Sequence, residues 1–343
     1  MVDTRQQAKQ LWQICFDDRP EFVDLYFKQR FRMEEHLDIR HTEHGMIAAL
    51  QALPYRLRWA HTTVNMGYIS GACTHPAHRG KGVMTRLLER SLEMMSGRGD
   101  VFSILIPAEP WLFGYYARMG YATVFHRRAV ELPIAPPMAT DTAVAIDASS
   151  TWTPALTAFA QEMGALRPCC VQHDLRDLPT VWADLRLSHG CCLLAHRSHR
   201  PCGWLMAVPL EGDAWQINEL TAGDEAARQA LLAAFVHRHR PTSLQSHEAV
   251  PATHRRATPY GMLRVLRPYE ALTAYAQAHP HERLNLCLTD EQLPANNGHY
   301  LVEDGHCLRS EHPLQAKAEA VTPHRLATLL FAHDTPHMSL MLD

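Results

Sequence analysis

The sequence lacks most of the features that would tie it to a metal, a membrane or a nucleic acid. Its 9 cysteines form no Cys-x-x-Cys pair. The neighbours Cys169/Cys170 and Cys191/Cys192 cannot both ligate one tetrahedral ion without strain, so the expected state is buried free thiols. The 23 histidines include no His-Glu-x-x-His helix and no Cys/His ligand spacing, which makes them surface residues and leaves no metal cofactor in the expectation. No stretch approaches the roughly 18 to 20 uninterrupted apolar residues of a membrane span, and residues 1–9 hold no apolar core of the secretory type. A soluble, cytoplasmic protein without a membrane partner is therefore expected. Lys and Arg number 33 against 36 Asp and Glu, a net charge of -3. Without a basic excess to neutralise phosphates, a nucleic-acid partner is not expected either.

What is present is a long, apolar chain. At 343 residues and 46% apolar it exceeds what one core usually organises and is too hydrophobic to be disordered, so two or three domains are expected. The order of elements is that of an α/β chain with mixed sheets. Helices at 5–16 and around Val23 to Phe31 are followed by strands at 46–53 and 66–73, the second rich in glycine, which inside a strand marks a bulge or a close backbone approach. Met84, Leu87, Leu88, Leu92 and Met95 recur at helical spacing, with Gly97 as the expected C-cap. A buried strand at 101–106 and a short helix from Pro110 to Met119 complete a first unit, 1–131. Residues 132–139 carry three prolines and no charge, which suits a linker. A second unit, 132–261, repeats the pattern in part: helices at 154–163 and 174–187, strands at 191–195, 202–208 and 214–220, then a helix from Asp224 to His237. The third, 262–343, opens with a strand at 262–266 and contains hairpin-type turns at Asn297-Gly298 and Asp304-Gly305. It also has a helix capped by Thr322-Pro323. At its end Met338, Leu340 and Leu342 alternate as in an anchored strand.

The informative segment is Thr74-His75-Pro76-Ala77-His78-Arg79-Gly80-Lys81-Gly82-Val83-Met84, between a strand and an amphipathic helix. Two glycines in three residues let the backbone curl with its N–H groups inward. The helix behind adds unpaired N–H groups and the positive end of its dipole, so the turn suits a pyrophosphate screened by Arg79 and Lys81. It has neither Walker A spacing nor a Gly-x-Gly-x-x-Gly fingerprint.

These residues resemble the GNAT superfamily of acyl-CoA-dependent N-acyltransferases, whose signature Arg/Gln-x-x-Gly-x-Gly/Ala is matched at Arg79 and Gly82 and departs at Met84. Tyr115-Tyr116-Ala117-Arg118-Met119-Gly120-Tyr121 is similar to the Tyr-x-x-x-Gly-Tyr/Phe ending of the helix beside the thioester. Over its full length the chain resembles the Eis-type (enhanced intracellular survival) acetyltransferases. That resemblance implies a catalytic GNAT domain, a second, degenerate GNAT domain and a C-terminal sterol-carrier-protein-like α+β domain, assembled as a homo-oligomer. It also implies acetyl-CoA as co-substrate, held by Ala72, Cys73 and Thr74 and by Gly80, Lys81, Gly82, Val83, Met84 and Thr85. The general acid falls on Tyr116, with Tyr115 as its rival, and the proton acceptor is the terminal carboxylate of Asp343. The acceptor is an amine: a small molecule, an aminoglycoside or a lysine.

Acyl transfer to an amine needs a polarised thioester carbonyl, a proton for the thiolate and a base for the amine. Backbone N–H groups near Cys73 and Thr74 suit the first, and a phenol of reference pKa about 10 facing a thiol near about 8.5 suits the second. Cys73 as a nucleophile has no assignable base and reads as a small strand residue. In the second unit Glu219-Leu220-Thr221-Ala222-Gly223-Asp224-Glu225 lacks the glycine turn, and Asp224 and Glu225 satisfy the helix N-terminus, so this half is not expected to bind CoA. The rival outside enzymes is a non-catalytic acyl-CoA or lipid-binding module.

Overall fold

The computed structural model describes residues 3–43, 45–134, 143–148 and 151–342; most of the linker expected over 132–139 lies outside them. Helices α1 (Thr4–Cys15) and α2 (Pro20–Gln29) precede strands β1 (His36–His41), β2 (Gly45–Trp59) and β3 (Thr62–Thr74). Helix α3 (Val83–Arg98) crosses to β4 (Phe102–Leu105), and α4 (Pro110–Arg118) leads to β5 (Ala122–Glu131). The middle of the chain contributes β6 (Val144–Ala148), α5 (Pro154–Leu166), β7 (Cys170–Gln172), α6 (Asp177–Leu187), β8 (Cys191–Arg197), β9 (Arg200–Pro209) and β10 (Ala214–Ala222). After α7 (Glu225–His239) come β11 (Ser243–Ala249), β12 (Thr258–Val265) and α8 (Pro268–Ala278). Strands β13 (Leu284–Leu288), β14 (Gly298–Glu303), β15 (His306–Ser310) and β16 (Glu319–Val321) and helix α9 (Pro323–Leu330) end the series.

The fold is mixed α/β, with one large mixed sheet and one small one. The large sheet runs β1-β2-β3-β4-β12-β5-β11-β10-β9-β8-β6, with β7 on β2, and the small one β15-β14-β13-β16. Among the described residues, two neighbouring pairs in the large sheet are parallel, β3 with β4 and β10 with β11. Helix α3 and helix α7 make the two crossovers that parallel pairing requires.

Strand β12 sits between β4 and β5, antiparallel to both, so the boundary expected at 261/262 falls inside a strand of the large sheet. Apolar alternation marked this segment as extended; it does not say which strands flank it. Strands β2 and β3 are also longer than expected and form one continuous hairpin. Its turn, Ala60 and His61, has both residues in the left-handed region at φ 48 and 59, without the Asn or Gly that normally signals such a turn. Gly97 lies inside α3, and the left-handed cap is Gly99 at φ 92. Asp304-Gly305 is a hairpin turn with φ 50 and 77, whereas Asn297-Gly298 follows a 3-10 turn and opens β14. The alternating end of the chain is no strand: a single bridge joins His337 to Cys170, and Leu340 turns left-handed at φ 55.

The sheet separates two apolar layers over the first unit. On one face α3 and α4 bury Leu87, Leu88, Leu92, Met95 and Tyr116 against Ile69 and Leu105. On the other, α1, α2 and α6 bury Trp12, Tyr26 and Trp182 together with Cys73 and Leu342. Each fully buried large apolar side chain contributes about 1.5–3 kcal/mol. The third segment shares the first unit's core. Trp59 stacks on Phe331 at 5.0 Å and donates its indole N–H to Asp334 at 2.8 Å. Arg264 of β12 and Asp290 pair at 2.6 Å with both side chains fully buried.

Candidate functional site

The site is a place where paired strands part. β3 and β4 are in register only from Met66↔Phe102 to Tyr68↔Ile104, while β3 runs on to Thr74. Beyond Tyr68 its backbone is free to face whatever enters between the strands. Opposite Leu50, β3 holds an extra residue, the register passing from Ala49↔Cys73 to Gln51↔Ser70. Gly71 supplies the conformation this bulge needs at φ 61, and a Cβ there would meet the Trp12 ring at 2.2 Å. The glycine-rich strand is thus a bulge under a close aromatic neighbour.

Alternation along the strand then divides its last residues between the layers. Ala72 packs with the α3/α4 face and Cys73 with the α1/α2 face. The strand ends in an exposed loop fixed by its own side chains. Arg79 Nε donates to the Thr74 carbonyl at 3.0 Å, and Lys81 Nζ to that of Ala77 at 3.0 Å. Gly80 and Gly82 are both left-handed, φ 73 and 69, with open space where a Cβ would be. Gly82 is the N-cap of α3, with no side-chain hydrogen bond to it and no acidic residue in the first turn. The N–H groups at the head of α3 are therefore left for water or an anion.

Helix α4 brings its two tyrosines to this place differently. The Tyr115 hydroxyl lies 3.2 Å from that of Thr85 in the first turn of α3, and Arg118 stacks on its ring at 5.9 Å. Tyr116 is buried in the cluster that contains Ile69, Ala72 and Met84, and its hydroxyl has no hydrogen-bond partner among the described residues. Burial pushes that phenol well above the ordinary tyrosine range, helped by neighbouring Tyr121 and Tyr115. The expected match between a phenol near 10 and a thiol near 8.5 does not hold for this environment. Tyr116 stays protonated and is suited to donate a hydrogen bond more than to release its proton. Arg264 anchors the end of α4 by donating to the Met119 carbonyl at 2.7 Å.

The structure thus brings together Ala72, Cys73, Thr74, Arg79, Gly80, Lys81, Gly82, Val83, Met84, Thr85 and Tyr116 around one strand end and one helix start. Asp343 lies outside the described residues. Leu342 before it is buried in the apolar cluster formed by α1, α2, α6 and β9.

Sequence reasoning missed two neighbours. Cys15 of α1 donates to the Thr74 carbonyl at 3.4 Å. Its thiol is pulled down to about 7 by a hydrogen bond from Cys73, against burial, with Arg79 adding to the effect. Cys15 carried no signal beyond its helical spacing. The second is the role of Arg264, which only the placement of β12 reveals.

The other parallel pair, β10 and β11, parts in the same way. Register ends at Ile217↔Ser246, and β10 carries its own bulge, the register with β9 passing from Ile217↔Ala207 to Glu219↔Met206. The helix that follows is closed. Asp224 is its N-cap and accepts from the Ala227 N–H at 2.8 Å, Glu225 occupies its first turn, and Arg197 pairs with Asp224 at 2.5 Å. A cavity of about 760 Å³ opens at this second parting, lined among others by Asp184, Glu219, Glu248 and the chain from Thr335 to Leu342.

Residues 2–124 match the family described as acetyltransferase (GNAT) domain. The chain therefore carries a GNAT acetyltransferase domain and is an acyltransferase of the class that uses an acyl-CoA and an acceptor substrate. No curated protein matches the sequence. Among solved structures, a GCN5-related N-acetyltransferase from Anabaena variabilis is similar at 18% identity and TM-score 0.77, covering 96% of this chain and 87% of that one. One from Kribbella flavida has 19% identity and TM-score 0.74, with 96% and 87% covered. Eis1 from Mycobacterium abscessus has 16% identity and TM-score 0.73, with 95% and 86% covered. At these identities the likeness is one of fold. No helix among the described residues is long and apolar enough to cross a membrane.

Proposed function

Starting from an acetyltransferase (GNAT) domain in the first 124 residues, we propose that the chain moves an acetyl group from acetyl-CoA directly to an amine at the parting of β3 and β4. The observation that carries this reading is the helix α3, uncapped behind two left-handed glycines and placed at the mouth of that parting. Backbone N–H groups from Gly80 to Thr85, with Arg79 and Lys81 beside them, hold the diphosphate. The edge of β3 turned away from β2 at Ala72, Cys73 and Thr74, past the last pairing with β4, receives the thioester arm and polarises its carbonyl. One such donor is commonly worth about 3–4 kcal/mol to the transition state.

Tyr116 donates a hydrogen bond to the sulfur as it leaves. Burial costs it acidity but keeps it protonated at every working pH, so the donor is always present. The Asp343 carboxylate draws the amine's proton through water or holds the ammonium form; its reference pKa of about 3.5 makes it a weak base. The state of the Cys73 thiol supports direct transfer over a Cys73 acyl intermediate. Cys73 is buried, and Cys15 and burial push its thiol well above the ordinary range.

We assign the segment from 132 up to β12 to a second, degenerate GNAT unit and the segment after β12 to a sterol-carrier-protein-like unit, with β12 itself completing the large sheet. The closed helix α7 supports the first assignment. The Eis-type resemblance extends to a homo-oligomer and to an acceptor that is a small molecule, an aminoglycoside or a lysine.

The test is thiol release from acetyl-CoA over a panel of amines. Tyr116→Phe is expected to lower kcat about a hundredfold or more with little change in the KM for acetyl-CoA, and deletion of Asp343 to lower it for every amine. Full turnover in both variants would overturn the assignment of roles.

A further inference from the structure

Two free thiols meet where β3 ends. The apolar face of α1 is built from residues three and four apart, Ala8, Leu11, Trp12 and Cys15. On β3 the side turned to that face takes alternate residues, so Gly71 and Cys73 share it. The Trp12 ring lies against Gly71, where an added Cβ would meet it at 2.2 Å, and this contact sets the register. Three residues further along α1 and two further along β3, Cys15 comes over Cys73, and the two thiols are hydrogen-bonded.

The pair is uneven. Cys73 is 6% exposed, while Cys15, the last residue of its helix, is partly open to solvent. The Cys15 thiol lies 3.4 Å from the Thr74 carbonyl, which also accepts from Arg79 Nε at 3.0 Å. The hydrogen bond from Cys73, with Arg79 beside it, draws the Cys15 thiol down to about 7 against burial. The same hydrogen bond and burial push Cys73 well above the ordinary range. Burial likewise raises Cys169, Cys170, Cys191, Cys192, Cys202 and Cys307. At neutral pH Cys15 therefore combines thiolate character, access from solvent and a second thiol in contact, which is the arrangement of a peroxide-sensitive cysteine and its resolving partner.

We propose that Cys15 and Cys73 are a redox switch on the acyl-CoA seat: a hydroperoxide joins them in a disulfide that draws the end of β3 toward α1, and a dithiol reopens it. With hydrogen peroxide, the Cys15 thiolate forms an S–O bond as the O–O bond breaks, and hydroxide leaves and takes up a proton as water. Cys73 sulfur then attacks the Cys15 sulfenic acid; the S–S bond forms, the S–O bond breaks, and the hydroxide departs as water with the Cys73 proton. Two thiols are oxidised and one peroxide is reduced to two waters. The high pKa of Cys73 slows the second step, and contact with Cys15 offsets this. Because the sulfurs must close to about 2.05 Å, the backbone of Cys73 and Thr74 shifts, and Arg79 follows through the Thr74 carbonyl. The consequence for binding rests on acyl-CoA lying at the parting of β3 and β4; the disulfide itself does not.

The experiment treats the reduced full chain with hydrogen peroxide at neutral pH, blocks the remaining thiols and reads the digest by mass. A linked pair of peptides carrying Cys15 and Cys73 is expected before other cysteines are oxidised. In Cys73→Ser the sulfenic acid has no partner, so dimedone should capture Cys15 there and not in the parent. Affinity for acetyl-CoA, read by calorimetry, is expected to fall about tenfold or more on oxidation, as the loss of one hydrogen bond to a charged group does, and to return with dithiothreitol. Cys15→Ser and Cys15→Ala should bind acetyl-CoA alike before and after peroxide. Absence of the linked pair while other cysteines oxidise, or linked protein that binds acetyl-CoA as the reduced protein does, would overturn the switch. Reduced protein that does not bind acetyl-CoA would instead overturn the reading of the site, and the switch's effect on it, whatever the linkage.

Discussion

The partings β3/β4 and β10/β11 share their geometry, and their residues finish it in opposite ways. In both, a parallel pair separates after a short register beside a bulge, and a crossover helix follows the strand, after a loop in the first and almost at once in the second. The first helix begins at left-handed Gly82 with its N–H groups uncommitted; the second begins at Asp224, which takes one of those N–H groups for itself. The first strand end is uncharged, the second carries Glu219 inside, bonded to Ser339 of the tail. Parting strands therefore make a cleft but do not choose its occupant. A handful of residues at the helix cap and strand end leave the first helix start open and, at the second, hold the protein's own tail.

Exchanging the caps tests this directly. Gly82→Asp puts a carboxylate at the head of α3. The position has open space, and Asp tolerates the left-handed conformation better than most residues, so the fold should survive. Affinity for acyl-CoA, read by calorimetry, is expected to fall about a hundredfold, or about 2.7 kcal/mol. Binding within threefold of the parent would separate the helix start from the diphosphate.

The bulges offer a smaller contrast. Gly71 combines φ 61 with contact to Trp12, so Gly71→Ala is expected to cost about 2 kcal/mol from strain and overpacking. Asn218, the extra residue of the second bulge, is exposed and has an ordinary φ. Asn218→Ala should stay within about 0.5 kcal/mol. Equal costs in urea unfolding would mean that the two bulges are held alike.

Reversing the exchange at α7 should do less. Asp224→Ala removes the cap and the pairing with Arg197. A slightly lower melting temperature is expected, with no gain of acyl-CoA binding, since no glycine turn precedes the helix. Acyl-CoA binding at α7 in this variant would show that one carboxylate was all that closed the second cleft.

These contrasts also mark what could be read in the sequence. The helix after Gly80 and Gly82, the cap at Asp224 and the cap at Thr322 were legible because each is a local pattern: a residue type, an adjacent turn and an apolar period. The Thr322 side chain does accept from Arg325 N–H. The hairpin at Ala60-His61 was not legible, since neither residue favours the conformation it adopts and the long pairing of β2 with β3 imposes it. The place of β12 between β4 and β5 depends on partners more than a hundred residues away, which no period records. Glu219 stood in the segment read as lacking a glycine turn, but that reading rested on Asp224 and Glu225 and gave it no role. Its bond to Ser339 depends on the path of Met338 to Leu342, and that path bends at Leu340, where alternation suggested a straight strand.

The finest contrast is between two thiols, one at each parting. Cys15 and Cys202 are both partly exposed. The first donates to the Thr74 carbonyl at the end of β3, and the backbone of the second accepts from the Gly223 N–H at the end of β10 at 2.9 Å. Cys15 is pulled down to about 7, first by Cys73 and then by Arg79 against burial, whereas burial pushes Cys202 up despite Arg197. Because the thiolate is the form that reacts, alkylation of Cys15 by iodoacetamide should reach half its limiting rate near pH 7, while Cys202 needs a distinctly more alkaline solution. Arg79→Ala should move the Cys15 midpoint upward, and Arg197→Ala should move that of Cys202 upward too, both by removing a cation. Mass-resolved labelling across pH separates the two sites in one sample. If Cys15 and Cys202 titrate together, neither Cys73 nor Arg79 lowers the first thiol, and the electrostatic difference between the two clefts reduces to the helix caps and Glu219.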